Sequence, residues 1–109
     1  MKNEIVIEKL DATGIHREED SATPIGGARV TLPYMIVRQN QVITGDDAGR
    51  VHLMTTEWIV ALFSANRDPN LECKLAKALQ GVGKVTIKHF PDGTPYQTNF
   101  EFKTTHVLR

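Results

Sequence analysis

The stretch Thr55–Leu79, TTEWIVALFSANRDPNLECKLAKAL, decides the reading of this chain. Its first part holds the single Trp and an unbroken apolar run from Trp58 to Phe63. Such a run suits a strand covered on both faces, or one covered by the core on one face and by a neighbouring subunit on the other. Alternation sends Trp58, Val60 and Leu62 to one side and Glu57, Ile59, Ala61 and Phe63 to the other. After a turn at Ala65-Asn66-Arg67 the pattern changes. Asp68 can accept the orphan N–H groups of a helix as its N-cap, and Pro69 fits the first helical position. Leu71, Leu75, Ala78 and Leu79 then share one face, with Val82 as an anchor just past the end. Gly81 and Gly83 stop the helix after about Gln80. A buried strand feeding a helix that folds back over it forms a core.

Upstream, residues 3–12 (NEIVIEKLDA) fit either a short strand through Ile5-Val6-Ile7 or a short helix. The helix, with Val6 and Leu10 on one face, Asn3 as cap and Gly14 as stop, is the expectation. Ile15 to Glu18 reads as a first strand. A 14-residue loop from Glu19 to Leu32 follows, long for a connector, and loops of that length are often mobile or used in contacts. Tyr34–Asn40 is a strand, Gln41–Gly49 a polar turn region, and Val51–Ser64 the returning strand, so the two form a hairpin with an extended tip.

Downstream, Val85, Ile87 and His89 alternate with Lys84, Thr86 and Lys88 as a half-buried strand. Pro91-Asp92-Gly93-Thr94 is a turn. The last strand starts near Tyr96 and turns Phe100 and Phe102 inward, opposite Asn99, Glu101 and Lys103. Residues 104–109 extend as a tail. The expected fold is a single α+β domain over residues 1–109. Its mostly antiparallel sheet holds two hairpins and a short first strand. A main helix at about 68–80 and a short N-terminal helix pack against that sheet.

The 109 residues suffice for one core. Thirteen basic and thirteen acidic residues cancel, and the densest cluster, Arg17-Glu18-Glu19-Asp20, is mixed. The chain thus lacks the clustered basic face of a nucleic-acid binder, and no specific nucleic acid is expected as a partner. The single Cys73 excludes an intramolecular disulfide and reads as a structural thiol of a reducing compartment. No apolar stretch approaches 18 residues, and Met1-Lys2-Asn3-Glu4 leads to no signal-peptide pattern, so no membrane partner is expected.

No constellation for chemistry emerges. His16, His52, His89 and His106 lie at no metal-ligand spacing, and Cys73 has no partner motif. Asp46-Asp47 read as an exposed turn rather than a cation loop. Glu57 lacks a second acid, base or nucleophile and is expected to pair across strands with a Lys or Arg, or to sit at a subunit interface. The glycines match neither a phosphate loop nor a dinucleotide fingerprint, and no Gly-x-Ser-x-Gly is present. Tyr34, Trp58, Phe63 and Phe90 read as core. The expectation is no enzyme, with no catalytic, cofactor-binding or metal residue and no cofactor. What stands out is surface. The long loop carries Arg29, the hairpin tip carries Asp46, Asp47 and Arg50, and the tail carries His106 and Arg109. A small antiparallel sheet also has two edges that must be paired, covered or charged. Subunit contacts through these segments explain them together.

The order of segments resembles the tail-terminator, or tail-completion, proteins of tailed bacteriophages and phage-tail-like particles. Leu32-Pro33-Tyr34-Met35-Ile36-Val37 leads into one strand, and Glu57–Phe63 is the long strand that precedes Asp68-Pro69-Asn70-Leu71-Glu72 at the helix start. Tyr96-Gln97-Thr98-Asn99-Phe100-Glu101-Phe102 is the final strand. In that family an aromatic-x-x-x-(Phe/Tyr)-Glu strand follows a helix opened by Asp-Pro-x-Leu-Glu. The resemblance covers about residues 30 to 104. It implies a structural virion protein without an active site, assembled in the bacterial host cytoplasm and located in the tail. Family members form a ring, typically of six subunits, on the last ring of tail tube protein. Implied partners are other copies of the chain, the tail tube protein, and the head–tail connector or collar protein. A connector ring of the same virion and an α+β interaction module outside phages are the competing readings.

Overall fold

Trp58 sits at the centre of the molecule. It is 1% exposed, stacks on Phe102 with ring centroids 5.8 Å apart, and donates its indole N–H to the Thr104 hydroxyl at 2.9 Å. The computed structural model describes residues 3–18, 32–45, 52–93 and 95–108. Its elements are α1 (Asn3–Asp11), β1 (His16–Glu18), β2 (Tyr34–Gly45), β3 (His52–Ser64), α2 (Pro69–Ala78), β4 (Thr86–Phe90) and β5 (Tyr96–Leu108). One five-stranded sheet runs in the order β1-β2-β3-β5-β4. β1 pairs with β2 in parallel, and every other neighbour is antiparallel. The fold is α+β, with both helices on the Trp58 side.

The helices form where the local chemistry places them. The Asp68 carboxylate accepts from the Leu71 N–H at 3.2 Å and Pro69 opens α2, so the cap expected from sequence is in place. The Thr13 hydroxyl donates to the Leu10 carbonyl and accepts from the Ile15 N–H. With Gly14 at φ +76° the chain leaves α1 there and enters β1. Asn3 is the first residue of α1 rather than its cap, and its side chain turns to the sheet instead of to the helix N–H groups. Its side chain accepts from the Thr56 hydroxyl at 3.2 Å and donates to Gln39 at 3.4 Å, tying the helix start to β2 and β3.

The core lies between Val6 and Leu10 of α1, Leu75 and Leu79 of α2, and the inward side chains Met35, Val60, Leu62 and Phe100. Glu57 pairs across strands with Lys103 at 3.7 Å, as the spacing predicts.

Several details differ from the sequence reading. β4 is exposed throughout rather than half-buried, because it is an edge strand that meets α2 only where His89 lies 3.7 Å from Glu72; Val85, just before it, is the residue that packs on the core. Phe90 is exposed, and Tyr34 and Phe63 are half-buried partners on the opposite face, so Trp58 alone of the four aromatics is central. Cys73 is exposed and adds nothing to the core, contrary to its reading as a structural thiol. β2 continues to Gly45 instead of ending near Asn40. Residues 104–108 are no free tail: they pair with residues 52–56 of β3.

Two substitutions test this core. Thr104→Val keeps the shape but leaves the buried indole N–H unpaired, and it should cost about 1–3 kcal/mol in urea unfolding followed by Trp58 fluorescence. Phe100→Ala should cost about 3–5 kcal/mol in the same assay. Equal and negligible effects would mean that Trp58 and Phe100 do not organise the core.

Candidate interaction surface

The sheet has a covered face and an open one. On the open face Tyr34 stacks on Phe63 at 5.0 Å, Gln97 donates to Asn99 at 2.8 Å, and Lys88 lies 3.3 Å from Glu101. Arg38, Asn40, Glu57, Ile59, Glu101 and Lys103 line a shallow concavity of about 650 Å³ in its middle. Ile59 forms an apolar floor among paired charges.

The strands outrun the helices. Asn3 contacts the sheet at Thr56 and Gln39, and the buried side chains end at Thr56 and Thr104. Beyond them β2 from Asn40 to Gly45, β3 from His52 to Thr55 and β5 from Thr105 to Leu108 continue as a three-stranded ribbon. Thr55 and Thr105 join hydroxyls across it at 3.3 Å. Its apolar side chains are in solvent on both faces: Ile43 is 62% exposed on the helix side, and Val42 and Val107 are 48% and 52% exposed on the open side, beside exposed Leu53. Apolar groups on both sides of a protruding ribbon are the unusual feature of this surface.

Strand pairing along the ribbon's margins is partial among the described residues. β1 pairs with β2 only from Tyr34 to Ile36, and β4 pairs with β5 only as far as Glu101. Among the described residues, no strand meets the outer edge of β2 at Val37–Gly45 or of β5 at Phe102–Leu108.

Of the contact residues expected from sequence, Arg29, Asp46, Asp47, Arg50 and Arg109 lie outside the described residues, as does most of the loop at 19–32. His106 is on the ribbon, half-buried on its helix side opposite Met54, and its Nδ1 has no hydrogen-bond partner among the described residues. The sequence reading missed Val42 and Ile43. Two consecutive β-branched residues inside a region taken as a polar turn were the available signal.

Two polar clusters do structural work elsewhere. Glu72, buried in the first turn of α2, lies 3.5 Å from Arg67 and 3.7 Å from His89, whose Nδ1 meets the Tyr96 hydroxyl at 3.1 Å. The cluster brings α2 beside β4 and β5, and the buried Glu72 Oε2 has no hydrogen-bond partner among the described residues. At the other end of the core, Asp11 accepts two hydrogen bonds from Arg17, at 2.9 and 3.3 Å. Among the described residues, no three His, Cys, Asp or Glu side chains converge to hold a metal ion, and no helix is long and apolar enough to cross a membrane. No protein-family model matches the chain, and no curated protein is similar enough to it to count as a match.

The Arg17 hydrogen bond holds the Asp11 carboxyl below its ordinary value of 3.8; slight burial opposes this and the Arg17 charge adds to it. A carboxylate depressed on folding stabilises the folded state above its unfolded pKa, and that contribution disappears as pH falls through the folded pKa. The side chain is half exposed, so the effect is small. Asp11→Asn should therefore flatten the stability profile below about pH 4 and leave its shape near neutrality unchanged. Superimposable acid limbs for the two proteins would contradict this.

Proposed function

We propose that the chain is a structural subunit that closes into a ring, caps a tail tube of the phage type and ends its polymerisation. The observation that carries this reading is the ribbon, which exposes apolar side chains on both faces and whose outer margins meet no strand among the described residues. An isolated domain has no use for such a feature, while a closed assembly covers it. The order of segments that resembles tail terminators supports the same reading. So does the open face, whose paired charges and shallow apolar floor suit contact with a protein surface.

The mechanism is capping rather than catalysis. Heterologous contacts that return on themselves build a closed ring. One face of the ring matches the end of the tube, where another tube ring would otherwise sit. The other face differs from a tube end and so refuses further tube subunits, presenting instead a surface for the connector or collar. Only backbone pairing, apolar burial and surface charge are needed, with no cofactor.

The test is to purify the protein, measure its mass by light scattering, and image it by negative stain with tail tubes present. The expected result is a ring at one end of each tube and no elongation when more tube protein is added. A monomer that ignores tubes at every concentration would overturn the proposal. A ring that binds portal-side components and leaves tubes alone would point to a connector instead.

A further inference from the structure

Four charged or titratable side chains meet where α2 lies beside β4 and β5, and the ring reading uses none of them. Arg67 comes from the turn before α2, Glu72 from its first turn, His89 from β4 and Tyr96 from the start of β5. His89 stands opposite Thr98, and Tyr96, two residues earlier, shares that face by alternation. The Tyr96 hydroxyl lies 3.1 Å from His89 Nδ1, while Nε2 on the far side of the ring lies 3.7 Å from Glu72 Oε1. Glu72 is 9% exposed, and its Oε2 has no hydrogen-bond partner among the described residues. Arg67 Nε comes within 3.5 Å of that oxygen.

The carboxylate sets the state of the imidazole. An ionised Glu72 only accepts, so the proton of the neutral ring is best placed on Nε2, which faces it. Nδ1 then keeps its lone pair, and the Tyr96 hydroxyl donates to it. A hydroxyl bonded to a base that a third group orients is the arrangement of an activated nucleophile. The sequence hides it, because the three residues come from three separate elements.

We propose that Tyr96 is a nucleophile that takes an acyl group from an activated ester, with His89 as its general base and Glu72 as a positioning residue. The Tyr96 oxygen bonds to the ester's carbonyl carbon as its proton passes to His89 Nδ1. The bond from that carbon to the leaving oxygen breaks, and the leaving phenolate carries away the electron pair. His89 then gives the proton to water. The imidazolium formed in between faces the opposite charge of Glu72, which stabilises it. The His89 side chain is 35% exposed and Tyr96 is half-buried, so a small ester reaches both from solvent. An uncharged donor suits the cluster, since the Arg67 guanidinium already faces the Glu72 carboxylate. The product is an ester on the chain itself. The inference uses neither the ribbon nor the likeness to tail terminators, and it holds or fails apart from the ring.

The probe is 4-nitrophenyl acetate, with acetylation mapped by peptide mass spectrometry. The background is Cys73→Ser, which removes the exposed thiol. Tyr34, the other tyrosine of the chain, lies on the opposite face of the sheet and reports on the fold. His89→Gln keeps an acceptor for the Tyr96 hydroxyl but cannot take its proton. Acetylation of Tyr96 should fall by about ten-fold or more in that variant, the low end of a general base's contribution, with Tyr34 labelled at its parent rate. Glu72→Gln should slow Tyr96 as well, again with Tyr34 unchanged, because the amide cannot balance the imidazolium charge. Tyr96 labelled equally fast in the parent and in His89→Gln would overturn the proposal. So would a parent protein in which acetyl groups appear on lysines and not on Tyr96.

Discussion

Strand length against helix length is the constraint from which the rest follows. β2 and β3 have 12 and 13 residues, so each spans about 40 Å. The helices have 9 and 10 residues and reach only about 14 to 15 Å. Even laid end to end along the strands they could not cover the sheet, and the molecule is 51 Å long in its greatest dimension. One part of the sheet therefore becomes a domain core, and the rest becomes a ribbon that neither helix covers.

The division falls at a definite place. Trp58, Phe102 and Thr104 form the last well-sealed level, and Asn3 reaches down from α1 to Thr56 and Gln39 just there. Below that level, apolar residues on one face of the sheet meet the helices and the chain folds as a unit. Above it the same strands continue with their registers intact and with Val42, Ile43, Leu53 and Val107 exposed, while Met54 and His106 stay half-buried. The ribbon is held straight by pairing to its own neighbours and is continuous with the core. Under the proposed assembly it would present apolar side chains to another subunit without first becoming ordered, which lowers the entropic cost of association.

Much of the fold was legible in the sequence because its signals were local. Asp68-Pro69 marked a helix start with a specific hydrogen bond, and alternation grouped Trp58, Val60 and Leu62 on one side, the side the helices cover. The parallel pairing of β1 depends on a contact between residues 16–18 and 34–36, which no local pattern announces. β4 looked half-buried because alternation reports which side chains share a face and not whether anything lies over it. Exposed Ile87 and Phe90 show the difference. The interaction surface was readable only in outline. Long segments and charged tips drew attention to Arg29, Asp46, Asp47, Arg50 and Arg109, all outside the described residues. The ribbon's own apolar residues were missed because Val42 and Ile43 fell in a stretch whose polar and glycine content reads as a turn, and Val107 in a stretch that reads as a tail.

The central claim is that the ribbon serves assembly and the helix-covered half serves folding. Ile43→Lys separates the two most directly, because Ile43 is among the most exposed apolar side chains and lies far from the sealed level at Trp58. The measurement is a pair of readings on that variant: its urea midpoint as a dilute subunit, and its mass by light scattering with tail tubes present. The account predicts a midpoint shifted by no more than about 0.5 kcal/mol of stability, as for an ordinary surface change, together with loss of the ring. A variant that still forms rings as readily as the parent, or one that unfolds as easily as a core substitution, would contradict it.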